Sequence, residues 1–183
     1  TPAPISGSTQ AIALTFSASS SDVELNGSVT LTWAGTNATS CDASGAWGGN
    51  NKAASGTETV NLPNIGTQTF SIVCKNSADS VAASAAVEVY QIIGGTVLDG
   101  YIRGAEVFVD LNNNLTLDSN EPSVTTDNNG AFSNLKLTSG NLISIGGLDA
   151  ATNLSLDKFW LTSSKGDNLN LIISPVTSIA TLL

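Results

Sequence analysis

A chain of 183 residues suits one large domain or two small ones, and 41% apolar residues is enough to build real cores. Charged side chains make up only 11%, and six Lys plus Arg against fifteen Asp plus Glu give a net charge of −9, which argues against nucleic acid or an anionic membrane surface as partner. No run approaches the roughly 18 apolar residues of a membrane-spanning helix, and with no histidine the Ser/His, Cys/His and usual zinc-hydrolase sites are absent.

The chain opens on "TPAPISGST", a Pro/Ser/Gly stretch that reads as a linker over residues 1–8. It shows no charged-then-apolar leader, so an export signal is expected to be gone already. Residues 9–93 then alternate with period two. Ile12, Leu14 and Phe16 share one face, and Val29, Leu31 and Trp33 share another, with Ser28, Thr30 and Thr32 opposite. Phe70, Ile72 and Cys74 repeat the pattern, followed by Val81, Ala83, Ala85, Val87 and Val89. Half-buried antiparallel strands give this alternation, because successive side chains point to opposite sheet faces. Turn clusters such as "LNGS", "GTNATS", "GGNN", "LPNIGT" and "KNSADS" separate the runs, a spacing that predicts a β-sandwich.

Two cysteines, Cys41 and Cys74, point to a disulfide and through it to an oxidising compartment. The alternative is a pair of buried free thiols. Two thiols without histidine make a poor zinc site, and no CxxC motif is present. The stretch "GSVTLTWAGTNATSCDASGAW…ASGTETV…GTQTFSIVCKNSADSVAASAAVEV" resembles the immunoglobulin-like repeats of secreted and surface-anchored bacterial proteins. In antibody domains the core Trp follows the first Cys, whereas Trp33 precedes Cys41, so the bridge is expected to join different strands.

"QIIGGTVLDG" marks the expected boundary, with Gly94 and Gly95 interrupting the strand pattern and a new one starting at Thr96. A linker this short predicts two modules placed end to end with limited bending. Over 94–183 the strand-like runs "TVLD", "AEVFVD", "SVTTD", "GAFSNLKL", "NLISIGG", "LSLDKFWL" and "LNLIIS" predict a second β-sandwich, with "DNNG" at 127–130 as a turn. Ser174 and Pro175 then suit the cap and first turn of a helix that the sequence cuts short, so a fragment of a longer protein is expected.

The most distinctive stretch is "DLNNNLTLDSNE", residues 110–121. Counted from Asp110, side-chain oxygens fall at positions one (Asp110), three (Asn112), five (Asn114), nine (Asp118) and twelve (Glu121), with Thr116 at seven to offer its backbone carbonyl. That is the ligand schedule of an EF-hand calcium loop, in which a tight curl lets alternate residues supply the six to eight hard oxygens calcium takes. Position six, usually Gly, is Leu115, and a positive φ there costs on the order of 1 kcal/mol. The flanks are strand-like and Pro122 follows directly, so no helix-pair switch is implied. The competing reading is an Asn/Asp-rich turn capping its own backbone. Against it stand the spacing and six acids between residues 99 and 127 facing one base, Arg103. Magnesium fits less well, since it keeps its waters and takes fewer protein ligands.

The longer run "VLDGYIRGAEVFVDLNNNLTLDSNEPSVTTDNNGAF" resembles calcium-binding prealbumin-like repeats, relatives of the B-type repeats of Gram-positive collagen adhesins, and "GGLDAATNLSLDKFWLTS…ISPVTSIATLL" continues the pattern. The resemblance implies Asp110, Asn112, Asn114, Thr116, Asp118 and Glu121 as ligands. Some such repeats close a Lys–Asn isopeptide bond from a Lys on the first strand, and "TVLDGYI" has none.

The expectation is therefore an all-β chain of two tandem sandwiches, immunoglobulin-like then prealbumin-like. It is a non-catalytic structural or adhesive region of a large bacterial extracellular or cell-surface protein, stiffened by Ca²⁺. Its expected partners are neighbouring modules of the same chain and a surface glycan or host matrix protein. Fifteen acids would supply a glycosidase-like carboxylate pair, but most fall in the loop region or on turns, and no catalytic residue is assigned. The rival is a carbohydrate-binding accessory region of a secreted polysaccharide-degrading enzyme, with Trp47, Tyr101 and Trp160 as candidate glycan contacts. Core packing is the competing role for each aromatic.

Overall fold

The computed structural model describes residues 10–156, 161–162 and 170–175. The expected linker over 1–8 and nearly all of the expected C-terminal helix lie outside the described residues. Within them the chain is all-β, and it divides into two compact units, Thr1–Val89 and Tyr90–Leu183.

The first unit takes strands β1 (Ala13–Ala18), β2 (Asp22–Glu24), β3 (Ser28–Thr36), β4 (Ser40–Gly45), β5 (Gly49–Lys52), β6 (Ser55–Asn61), β7 (Gly66–Lys75) and the first part of β8 (Ser80–Val97). One antiparallel sheet has the order β1-β3-β6, and the other runs from β8 through β7 and β4 to β5. Their inner faces are the apolar faces of the period-two runs. Val29, Leu31 and Trp33 from β3 meet Phe70, Ile72 and Cys74 from β7 and Val87 and Val89 from β8 in one buried cluster. Full burial of an aliphatic or aromatic side chain contributes roughly 1.5–3 kcal/mol, so this cluster is the main source of stability.

Cys41 and Cys74 are facing residues on the neighbouring strands β4 and β7, joined by a disulfide with Cα atoms 4.0 Å apart. The bridge lies within one sheet and is fully buried, unlike the inter-sheet bridge of antibody domains. Trp33 lies opposite Gly56 on β6, where a Cβ would stand only 2.7 Å from the indole ring. The missing side chain on one strand makes room for the largest one on the next.

Two features depart from the sequence expectation. The composition of "GGNN" predicts a turn, yet Gly49–Lys52 pairs with β4 as the edge strand β5. The pairing is irregular, with a register shift between Cys41 and Ala43 and Asn51 at φ 59°, which is how turn-type residues fit an edge. Gly94 and Gly95 predict a break in the pattern, yet β8 runs through both. A Cβ on Gly95 would meet the Leu171 carbonyl at 2.2 Å, and one on Gly94 the Phe132 carbonyl at 2.9 Å. These glycines admit close backbone neighbours and do not end a strand.

The second unit takes the remainder of β8 with β9 (Ile102–Arg103), β10 (Glu106–Asp110), β11 (Ser123–Thr125), β12 (Ala131–Leu137), β13 (Asn141–Ile145), β14 (Leu148–Asp149), β15 (Leu161–Thr162) and β16 (Asn170–Ile173). One sheet has the order β11-β10-β13-β15; a second pairs β8 with β12 antiparallel and with β16 parallel; β9 and β14 form a short ribbon. Val107, Val109 and Leu142 pack against Ile93, Val97, Phe132, Leu135 and Ile173 between the two larger sheets. The 127–130 turn forms as read: the Gly130 N–H donates to the Asp127 carbonyl at 3.1 Å, and Gly130 has φ 70°. β10 ends at Asp110, and this places the oxygen-rich segment between β10 and β11.

Candidate metal centre

Val107 and Val109 anchor β10 in the core, and the next residue, Asp110, is itself 0% exposed. A buried carboxylate must find donors, and the loop curls back to supply them. Asp110 Oδ1 accepts the Asn114 N–H at 3.2 Å and Oδ2 accepts the Leu115 N–H at 2.9 Å. Asn112 Oδ1 accepts the Asn114 N–H at 3.1 Å, and Asn114 Oδ1 accepts the Thr116 N–H at 2.7 Å. The first, third and fifth positions thus wind the chain through successive side-chain-to-backbone turns.

Glu121 closes the loop from its far end. Its side chain is buried, Oε1 accepting the Leu111 N–H at 2.7 Å and Oε2 the Asp118 N–H at 3.0 Å. Asp118 Oδ2 accepts from both side-chain amides, Asn112 at 2.8 Å and Asn114 at 2.9 Å. Positions one, three, five, nine and twelve therefore all take part in one connected polar network. A carboxylate oxygen carries two lone pairs, so those of Asp110 and Glu121 keep acceptor capacity beyond the hydrogen bonds they make. Among the described residues no three acidic or cysteine side chains gather as a metal-ligand group by themselves. An ion in this loop would draw on the side-chain oxygens of Asn112 and Asn114 and the Thr116 carbonyl as well as on the carboxylates.

Leu115, at the sixth position, has φ 60° with its side chain 42% exposed. The sharp turn is made where the loop pattern puts it, by a residue poorly suited to it. Leu115→Gly is expected to raise the stability of the second unit by about 0.5–1 kcal/mol, relief of the left-handed strain being partly offset by a more flexible unfolded chain. Urea unfolding checks this; a lowered midpoint would mean that the leucine packs better than its exposure suggests.

The loop's second wall has no local signature. Asn113, also at φ 60°, accepts from the Asn141 side-chain amide at 2.6 Å, and Asn141 is the residue paired with Asp110 across β10 and β13. Gly140 precedes it at φ 122°, and a Cβ there would stand 2.5 Å from the Asp110 carbonyl. The "SGN" before β13 looks like an ordinary turn, and only the strand register brings it to the loop. Outside the loop, two carboxyls are held below the usual carboxylate range. Asp149 is lowered by the N–H groups of Thr152 and then Ala151, and Asp42 by the Lys75 ammonium and then the Asn51 N–H.

The three aromatic glycan candidates are placed one by one. Trp47 is 7% exposed, stacked on Phe16 and edge-on to Trp33, with its indole N–H donating to the Ser71 carbonyl at 3.1 Å. It is a core residue of the first unit and offers no ring face to a sugar. Tyr101, 58% exposed, remains at the surface of the second unit, and Trp160 lies outside the described residues. Compared with known protein families, curated proteins and solved structures, the chain matches none of them.

Proposed function

We propose that this chain is a non-catalytic structural or adhesive region of an exported bacterial protein. In this reading an immunoglobulin-like module is followed by a prealbumin-like module braced by one Ca²⁺. The observation that carries it is the Asp110–Glu121 loop. The buried first and twelfth carboxylates, the side chains of the third, fifth and ninth positions and the positive φ at the sixth all follow the calcium-loop schedule. Asp110, Asn112, Asn114, Asp118 and Glu121 would hold the ion with the Thr116 carbonyl, the two amides turning their oxygens from backbone N–H groups toward it. The buried disulfide supports an oxidising, extracytoplasmic setting, where millimolar calcium would largely fill a site with Kd of about 10⁻⁴ to 10⁻³ M.

Binding to the folded state alone adds roughly 1 kcal/mol at a few times Kd, so the ion's role is to stiffen. The test is thermal unfolding in EDTA and in added Ca²⁺. A second-unit transition that rises by several degrees with Ca²⁺, and less with Mg²⁺, is expected. Superimposable curves in chelator and in excess Ca²⁺ would remove the ion from the account.

A further inference from the structure

A groove of about 450 Å³ in the second unit, lined by Arg103, Gly104, Thr126, Asp127, Asn128 and Leu148, has no part in the oxygen-rich loop. The β9–β14 ribbon shapes one side of it. Ile102 is fully buried, so strand alternation turns Tyr101 and Arg103 outward together, and Leu148 pairs with Arg103 across the ribbon. Leu148, 36% exposed, gives the groove an apolar edge, and Tyr101, 58% exposed, lies two residues before Arg103 on the same face of the ribbon. At Gly104 nothing lies within 4 Å of where a Cβ would stand, which keeps that edge open.

Arg103 is the chain's only arginine, set among fifteen acids. Among the described residues it makes no ion pair, since both pairs present use lysine. It is held by a neutral group, Nη2 donating to Asn153 Oδ1 at 2.6 Å, while Nε is shielded from solvent with no acceptor. Such an orphaned donor is rare in folded proteins and calls for an explanation. With Nε shielded and the guanidinium fixed by an amide, and with no carboxylate on it among the described residues, its remaining Nη donors are what an incoming carboxylate would pair with. Asp127 also lines the groove. Its Oδ1 is engaged by the N–H groups of Asn129 and Ala131 at 2.8 and 2.9 Å, so its second oxygen suits a ligand hydroxyl.

We propose that this groove binds a single uronate residue of an acidic polysaccharide, the local base Arg103 outweighing at this one point the net charge of −9 that disfavours extended polyanions, with the sugar carboxylate on Arg103, ring hydroxyls on Asp127 and Asn128, and the apolar ring face against Leu148 and Tyr101. A free peptide carboxylate would satisfy Arg103 but give Asp127 and the apolar edge little to recognise. The proposal supplies a ligand for the adhesive reading, and it stands on the groove alone.

The experiment is an NMR titration of the intact chain with tetragalacturonate, its methyl-esterified form and a neutral galactose tetramer, each in Ca²⁺ and in EDTA. Millimolar or tighter binding of the acid form is expected, with amide shifts at Arg103, Gly104, Asn128 and Leu148 that persist in EDTA. Esterification, Arg103→Gln and Tyr101→Ala should each weaken it at least about tenfold, that is by about 1.4 kcal/mol. If Arg103→Gln fails to fold, the ester comparison on the native chain and Tyr101→Ala decide. Absence of binding, or equal binding of the ester or the neutral tetramer, would each overturn the proposal. Binding that appears only in Ca²⁺ and shifts the loop amides would place the ligand on the ion and likewise overturn it. Because the EDTA arm reads the groove without the ion, failure of the groove and failure of the calcium site give different results.

Discussion

Replacing both Cys41 and Cys74 with alanine is expected to destabilise the first unit by about 3.7 kcal/mol, the loop-closure value for a crosslink of this span. The two residues are 33 apart in sequence, and the bridge removes that loop's freedom from the unfolded chain. Both sulfurs lie in the fully buried cluster that also holds Trp33 and Phe70, so their loss leaves unfilled volume as well. Urea unfolding followed by tryptophan fluorescence is a suitable measurement, because Trp33 and Trp47 both sit in this cluster. Reducing agent should produce the crosslink part of this shift in the native chain, without the part due to lost volume, and none in the double variant. Equal midpoints for the oxidised and reduced chain would show that the two sheets hold this unit without the crosslink.

Asp110→Ala should act on the other unit, and in two ways. It removes the acceptor of the Leu115 N–H and one of the two acceptors of the Asn114 N–H from a buried position, and a hydrogen bond to a charged partner contributes about 1.5–3 kcal/mol. A loss of about 2–3 kcal/mol in EDTA is therefore expected, together with loss of the Ca²⁺-dependent rise in melting temperature. Asp110→Asn separates the two effects, since it keeps an oxygen for one backbone N–H but drops the charge the ion needs. It should retain most of the stability in EDTA and respond only weakly to Ca²⁺. Calorimetry in chelator and in excess Ca²⁺ resolves both. An unaltered Ca²⁺ response in Asp110→Ala would move the ion away from this loop.

The features legible in the sequence were those written as a local period. Alternation placed Val29, Leu31 and Trp33, and Phe70, Ile72 and Cys74, on faces that are indeed buried. "DNNG" specified its turn, because a glycine able to take φ 70° stands where the turn needs one. The loop was visible because its geometry is nearly all its own: each turn-forming hydrogen bond joins residues no more than five apart, apart from the closure by Glu121.

What escaped is non-local. Gly94 and Gly95 look like punctuation until Phe132 and Leu171 press against them from elsewhere in the chain. Trp47 sits in a glycine-rich stretch that suggests an exposed loop, yet Phe16 and Trp33 enclose it. In the sequence Arg103 is only the lone base of an acidic segment; its place in a groove depends on residues 23 to 45 positions further along.

The pairing of Trp33 with Gly56 bears on how this chain can change over generations. Neither position can drift alone, because any side chain at 56 collides with the indole and any smaller residue at 33 opens a hole beside the disulfide strands. The two sites should therefore substitute in concert, large for small on one strand matched by small for large on its neighbour. That reciprocal exchange would mark diverged descendants of this fold after the rest of the sequence had lost its likeness.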